Sequence, residues 1–509
     1  MPVGLAVAAL AEIAAAIKPD LVWITNDLWC MPPLLQALKP VRESVPMKVY
    51  GYAPIDSYGI FPEFMASLDG LDGLGTYTQF GREELLKAGY GKEVDVIPHG
   101  VDRTKFFPMD REECRQGLGI APDDFVVFNG NRNQPRKRID ITIKGFIRFA
   151  VNSPRARLWL HMGIKDQGWD IIPLFNRVAR DYGYDPTNRL ILTNANFSVN
   201  NCLSIESLNR AYNAADIGVN TCIAEGWGLV NFEHAATGVA QLVPDHTSLK
   251  EIFSDVPRID CLESETDRGY GLERPVPSSE SLAERLDYYY QFPEALQATG
   301  KWCYEKACNP AYEWPTIAGE LIAQYYDDEV VWAYDTLKPY SYKADLGRFC
   351  ILNAIGGWYF DIGVRAVAPV EIGERIKFLA FRDIQRFSFT SFACATTVLY
   401  SQPNNHALAI AIRQIVENCK NKYYGITPLC PTGPTLLGQS LARHGSDADY
   451  VFGDYLELTP LHEQKNRAFV LPDGTIMAWS KPAGGGDLTA LGASRTNNYN
   501  ELWATKRIY

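Results

Sequence analysis

The chain has no run of 18 apolar residues, no C-x-x-C pair and no excess of positive charge. The first absence removes a transmembrane helix from consideration. The second, with eleven cysteines scattered singly through 509 residues, fits reduced thiols better than a disulfide framework, and a cytoplasmic location is expected. The third, a formal net charge of −11 with a pI near 5.3, argues against nucleic acid as the main partner. Binding to a phosphate backbone needs broad basic surface. Histidine is scarce as well, with seven in all and none before His99. The opening "MPVGLAVAALAEIAAAIKPD" lacks a basic leading region and is broken by Glu12, so it reads as an Ala-rich helix on a sheet rather than a signal peptide.

What is present is a well-packed composition, 47% hydrophobic with 12% aromatic residues, in a chain too long for one core. Two or three domains are expected. Short β-rich runs alternate with helical spacing through the first half. "DLVWITN" (20–26), "KVYGYAPID" (48–56), "GTYTQF" (75–80) and "VDVIPHG" (94–100) read as buried strands, separated by "PPLLQALK", "FPEFMASL" and "REELLKAG". The alternation resumes with "DFVVFNGN", "ARLWLHM", "RLILTN", "IGVNT" and "AQLVPD". This is the pattern of an α/β fold with parallel sheets covered on both faces. It predicts a Rossmann-like domain over 1–105 and a second over 106–328, closed by a helix at 312–329. Beyond about 330 the texture loosens into a smaller third domain, 329–509, with a loop-rich tail "KPAGGGDLTALGASRTNNYNELW".

Within this acidic chain "NGNRNQPRKR" (129–138) places Arg132, Arg136, Lys137 and Arg138 in seven positions, just after the apolar "FVVF". Ligands of Rossmann-type sheets bind at the carboxyl ends of the strands, where this loop falls. A diphosphate there would need such cations; a solvated basic turn is the plain alternative. Further on, "CIAEGWGLVNFEHAATGVAQLV" (222–243) sets Glu225 before a glycine-flanked turn and Glu233 eight residues later. Gly226 and Gly228 allow close approach of backbone to a ligand, and the following helix offers its N-terminus to phosphate.

Three stretches, "VIPHGVDRTKF", "GNRNQPRKRIDITIKGF" and "LNRAYNAADIGVNTCIAEGWGLVNFEHAATGVAQLVPDHTSLKEIF", resemble the retaining GT-B glycosyltransferases of family 4 over roughly residues 20–328. The resemblance implies transfer of a hexose from a UDP- or GDP-sugar to a glycan or glycoconjugate acceptor, with anomeric retention and without a cofactor in this half. It implies catalytic roles for Arg132, Lys137 and Glu225, the two cations on the diphosphate and Glu225 on the donor sugar. Gly226, Gly228, Leu229 and Glu233 would complete the donor site, with Glu233 on the ribose. Two departures stand out. The family's opening strand and Gly-rich loop are missing, so an N-terminally shortened chain is expected, and no histidine precedes His99 to serve near the transferred sugar. Asn26, Asp27 and Asp56 fall at strand ends, as cleft residues or as turn formers and caps. His161, in "LWLHMG", reads as a satisfied structural histidine.

In the third domain "YSYKADLGRFCILNAIGGWYFDIGV" (340–364) spaces Asp345 and Arg348 three apart on a helix and ends a strand near Asp361. This segment, with "PTGPTLLGQSL" (431–441) and "TNNYNELW" (496–503), resembles the GT-A, family-32 glycosyltransferases, whose D-x-D motif holds Mn²⁺ or Mg²⁺. Asp361 would be the metal ligand, but Gly363 stands where the second carboxylate is expected. Asp345–Arg348 as a plain structural ion pair is the competing reading. For the whole chain the rivals are a nucleotide-sugar or glycan-binding scaffold whose sites have decayed, and another GT-B enzyme such as a sugar phosphorylase.

Overall fold

The computed structural model describes residues 21–193, 203–323, 325–361, 364–367, 375–384, 388, 390–445, 447–462, 465–480 and 499–509, with scattered positions before 21. Its first sheet is fully parallel, in the order β1 (Leu21–Thr25), β2 (Lys48–Ala53), β3 (Gly73–Thr76), β4 (Val94–Val96). Alternation sorts the two faces. Ile24, Val49, Leu74 and Val94 enter an aliphatic core with helix α1 (Met31–Arg42) and the described N-terminal residues Val7, Leu10, Ala11 and Ala14. Trp23, Tyr50 and Tyr52 point the other way, where Trp23 stays 46% exposed.

The second sheet is also parallel, ordered β7 (Leu190–Leu192), β6 (Ala156–Leu160), β5 (Phe125–Asn129), β8 (Ile217–Val219), β9 (Ala240–Leu242). Its central strand β5 is buried along its whole length. Helix α3 (Ile139–Ala150) covers one face through Ile139, Ile143, Phe146, Ile147 and Ala150, at the three- and four-residue spacing of one helical stripe. Between them α2 (Gln79–Lys87) opens two residues inside the stretch expected to be strand. Thr78 caps it by accepting from the Gly81 amide at 3.2 Å, and the freed amides of Gln79 and Phe80 donate to Glu251 of the second domain at 3.0 and 2.7 Å. Glu251→Ala should therefore loosen the docking of the two sheets. We expect a loss of about 1–2 kcal/mol, read as a lower midpoint for the first unfolding transition.

The expected closing helix is in fact two helices. A turn Pro310–Tyr312 and α7 (Trp314–Ala323) are followed by α8 (Asp328–Thr336), which Asp327 caps through the Val330 amide at 3.2 Å. Ile322 packs with Val330, Leu346, Phe349 and Leu352, so α7 joins the core of the third sheet. That sheet has seven strands, ordered β12 (Gly357–Phe360), β15 (Cys394–Ser401), β14 (Phe378–Arg382), β16 (Tyr450–His462), β17 (Lys465–Val470), β18 (Ile476–Ser480), β13 (Val364–Ala366). Only β14 and β16 run parallel among its pairs. Helix α9 (Tyr340–Ile355) lies against it. Residues 481–498, most of the expected loop-rich tail, and Gly363 lie outside the described residues.

Candidate active site

The carboxyl ends of the first two sheets face each other, and the contact is close. A Cβ on Gly226 would stand 2.6 Å from the Pro54 side chain, so only glycine lets the donor-side loop meet the end of β2. Gly228 takes φ 89°, a left-handed turn that starts the short helix Leu229–Ala235. Tyr58 and Glu273 exchange backbone hydrogen bonds at 3.0 and 2.9 Å, a further tie between the domains.

Lys137 lies buried in the turn Pro135–Lys137 after β5, and its Nζ donates to Glu225 Oε2. Arg136 Nη1 stands 3.8 Å from Glu225 Oε1 and donates to the Ala224 carbonyl. Burial alone would raise the Glu225 carboxyl, yet Lys137 and Arg136 hold it below the usual range. Arg136 also acts on Asp56, whose carboxyl burial pushes above its ordinary value and whose Oδ1 accepts from Ser57 Oγ at 2.9 Å. The result is a mixed-charge centre of Asp56, Arg136, Lys137 and Glu225, drawn from both domains. Arg132 stands apart at the rim, 57% exposed, in a two-pronged pair with Asp166 at 2.7 and 3.2 Å. Leu229 is exposed and Gly226 and Gly228 shape the turn. Asn26 and Asp27 are exposed; the field of Asp27 reaches Arg136.

Glu233 is half-buried, and its carboxyl is pushed up to about 7 by burial, against a weak pull from Lys105. The folded protein therefore holds a proton there that the unfolded chain releases near 4.5, so stability present below pH 4.5 is lost as pH rises to about 7. Glu233→Gln should flatten that fall. Urea midpoints measured across this window check it.

Sequence reasoning passed over the residues that hold the loops. Asn129 Oδ1 accepts from the Asn131 amide at 3.0 Å and Asn129 Nδ2 donates to Thr142 at 2.9 Å. Thr142 meets Thr221 at 2.7 Å, and Thr221 donates to the Arg138 carbonyl at 2.9 Å. Asn133 ties the loop to Gly163 and Trp169 at 3.1 and 2.7 Å. All five of these asparagines and threonines between Asn129 and Thr221 are buried, so the cations project from a fixed frame. The repeated asparagines of "NGNRNQ" were the available signal. Arg136 was missed as a site residue because nothing in "PRKR" separates it from its neighbours. His161 places Nδ1 2.9 Å from Thr193, and burial lowers its pKa to about 4. His99 packs on Tyr77 and Trp227, rings 4.2 and 5.8 Å apart, and burial lowers its pKa to about 4 as well.

In the third domain Asp345, Arg348 and Asp361 do meet. The Arg348 guanidinium stands 3.7 Å from Asp345 and 3.4 Å from Asp361, over the Tyr359 ring at 4.5 Å. A single buried cation is shared between the two carboxylates, and among the described residues no group of three ligating side chains gathers. Among the described residues this donor set, with a guanidinium between its two carboxylates, does not fit a resident Mn²⁺ or Mg²⁺.

No protein-family model matches the chain. It is 30% identical over 223 residues to the D-inositol 3-phosphate glycosyltransferase of Geodermatophilus obscurus, covering 42% of this chain and 47% of that protein. Against the enzyme of the same name from Nocardia farcinica the identity is 25% over 238 residues, covering 46% and 50%. The chain thus spans about half the length of the curated relatives it matches. Among solved structures, sucrose-phosphate synthase from Thermosynechococcus elongatus superposes with a TM-score of 0.50 at 16% identity, over 64% of this chain and 77% of that one. The chain therefore carries an α/β fold of GT-B type. Among the described residues no helix is long and apolar enough to cross a membrane.

Proposed function

We propose that the chain is a glycosyltransferase that moves a hexose from a nucleotide diphosphate sugar to a glycan or glycoconjugate acceptor, with retention. The observation that carries the reading is the convergence of Lys137 and Arg136 on Glu225 at the carboxyl end of the second sheet, opposite Asp56 of the first. Cations fixed in a half-buried cleft stabilise the charge that develops on a departing diphosphate. Lys137 then exchanges Glu225 for phosphate oxygen, Glu225 turns to the donor sugar, and Arg132, released from Asp166, closes on the outer phosphate. Glu233 accepts from the ribose hydroxyls. The leaving oxygen takes the acceptor proton as the sugar passes to the same face, the family-4 course. The third domain, read as family-32-like, adds acceptor surface in this proposal rather than a second metal-dependent centre.

The test is product formation from labelled UDP-, GDP- and ADP-hexoses, with D-inositol 3-phosphate, the relatives' named acceptor, as one acceptor arm. Calorimetry runs in parallel. Heat of donor binding with no product under any acceptor would favour a binding scaffold instead. No heat with any donor would remove both readings.

A further inference from the structure

The aromatic face of the first sheet forms one wall of a groove of about 450 Å³, opposite α7 and the end of α9. That size lies within the range of small-ligand sites. The described N-terminal residues pack on the opposite, aliphatic face. Its floor is aromatic. Trp23 and Tyr50 stack with ring centres 4.5 Å apart and planes within 20°, and Trp23 is 46% exposed. Hydrogen-bonding groups line the edges of the rings. Tyr50 Oη donates to Asp95 at 2.5 Å, Trp23 Nε1 donates to Thr25 at 2.8 Å, and Lys48 lines the same wall.

A line of touching rings, two of them (Tyr52 and Trp227) buried, leads on from the platform. From Trp23 it passes to Tyr52 at 5.9 Å, to Tyr77 at 4.7 Å and to His99 at 4.2 Å, and His99 meets Trp227 at 5.8 Å. Trp227 is two residues from Glu225. The rings thus run along the strands from the groove to the charged centre, at about 3.3 Å of rise per residue. A flat platform with polar groups at its rim suits a pyranose, which offers an apolar C–H face and equatorial hydroxyls. A hydrocarbon chain would use the platform but not the rim.

We infer that this groove binds the body of an oligosaccharide acceptor, with the Trp23–Tyr50 platform holding sugar units away from the reacting end. The inference rests on the transferase reading for its direction, not for its existence. Malto-, manno- and chito-oligosaccharides from disaccharide to hexasaccharide are titrated into the full chain while tryptophan emission is followed. UDP- and GDP-hexose binding is measured by calorimetry on the same preparations. One glycan series should bind more tightly with length, and Trp23→Ala should weaken it roughly tenfold. Trp23→Phe should bind nearly as the parent does, and donor binding should not change in either variant. Equal affinity in Trp23→Ala, no affinity for any series, or displacement of the glycan by dodecanoate overturns the proposal. Length-dependent glycan binding in a chain that binds no donor would support the groove and sink the transferase reading.

Discussion

Lys137→Met should cut donor turnover by about a hundredfold to a thousandfold, the loss seen when one fixed donor to a developing anion is removed. The ammonium is buried, so water does not replace it, and Arg136 remains 3.8 Å from Glu225. A second effect follows from the same burial. Glu225 loses its hydrogen-bonded partner, and breaking one side of a buried pair costs about 3–5 kcal/mol. The sign of the pH dependence separates the two effects. A folded-state pKa held below 4.5 gives stability above that pH, lost as pH falls through the folded value. The variant forfeits most of that contribution, so its stability should fall less steeply through the acid range than the parent's. Adding Glu225→Gln should restore much of the stability and none of the turnover. Single-turnover rates and chemical denaturation of the three proteins decide it, and a parental rate in Lys137→Met would end the assignment. Arg132→Ala is the contrast. Its pair with Asp166 is exposed and screened by water, so its unfolding should hardly move, whatever happens to donor binding.

The two parallel sheets could be read from the chain because each strand is a short apolar run set between helices with clear spacing. "FVVFN" and "IDITIKGFIRFA" need no tertiary information to be assigned. The first error, at Gln79, has a long-range cause. The strand gives way to helix where Glu251, 172 residues on, supplies acceptors for the amides of Gln79 and Phe80. Local propensity does not contain that partner. The division of α7 from α8 has a local cause, since Asp327 caps α8 through the Val330 amide. At the site, glutamate spacing and glycines pointed to the turn at Glu225, and only the resemblance picked Arg132 and Lys137 out of four neighbouring cations. Only the fold turns Lys137 and Arg136 inward to Glu225 and leaves Arg132 to Asp166. In the third domain the carboxylates and the arginine were found together. Their chemistry was not, because it depends on whether Arg348 or a metal compensates them.

Arg348→Met tests that point, with a large effect on stability. The guanidinium donates to the carbonyls of Thr396 at 2.6 Å and Ala344 at 3.0 Å while facing two carboxylates. Burial already pushes the Asp345 carboxyl above its ordinary value, with Arg348 and the Thr432 hydroxyl, at 2.9 Å, pulling it back. Without the cation Asp345 is a buried carboxylate with only the neutral hydroxyls of Thr432 and Thr396 as donors among the described residues, a change worth about 3–5 kcal/mol. The cost falls on α9, which carries Asp345 and forms one side of the aromatic groove. Hydrogen exchange along α9 should accelerate, and the calorimetric transition of this domain should separate from the rest at lower temperature. Arg348→Met with Asp345→Asn should recover most of the loss, since a neutral amide can keep the Thr432 contact at no charge cost. If the carboxylates were instead a metal site, removing the neighbouring cation would strengthen Mn²⁺ binding, and Mn²⁺ would raise the Tm of the single variant. The expected result is no Mn²⁺-dependent shift, because a carboxyl whose pKa burial has raised takes a proton more readily than it recruits an ion from water.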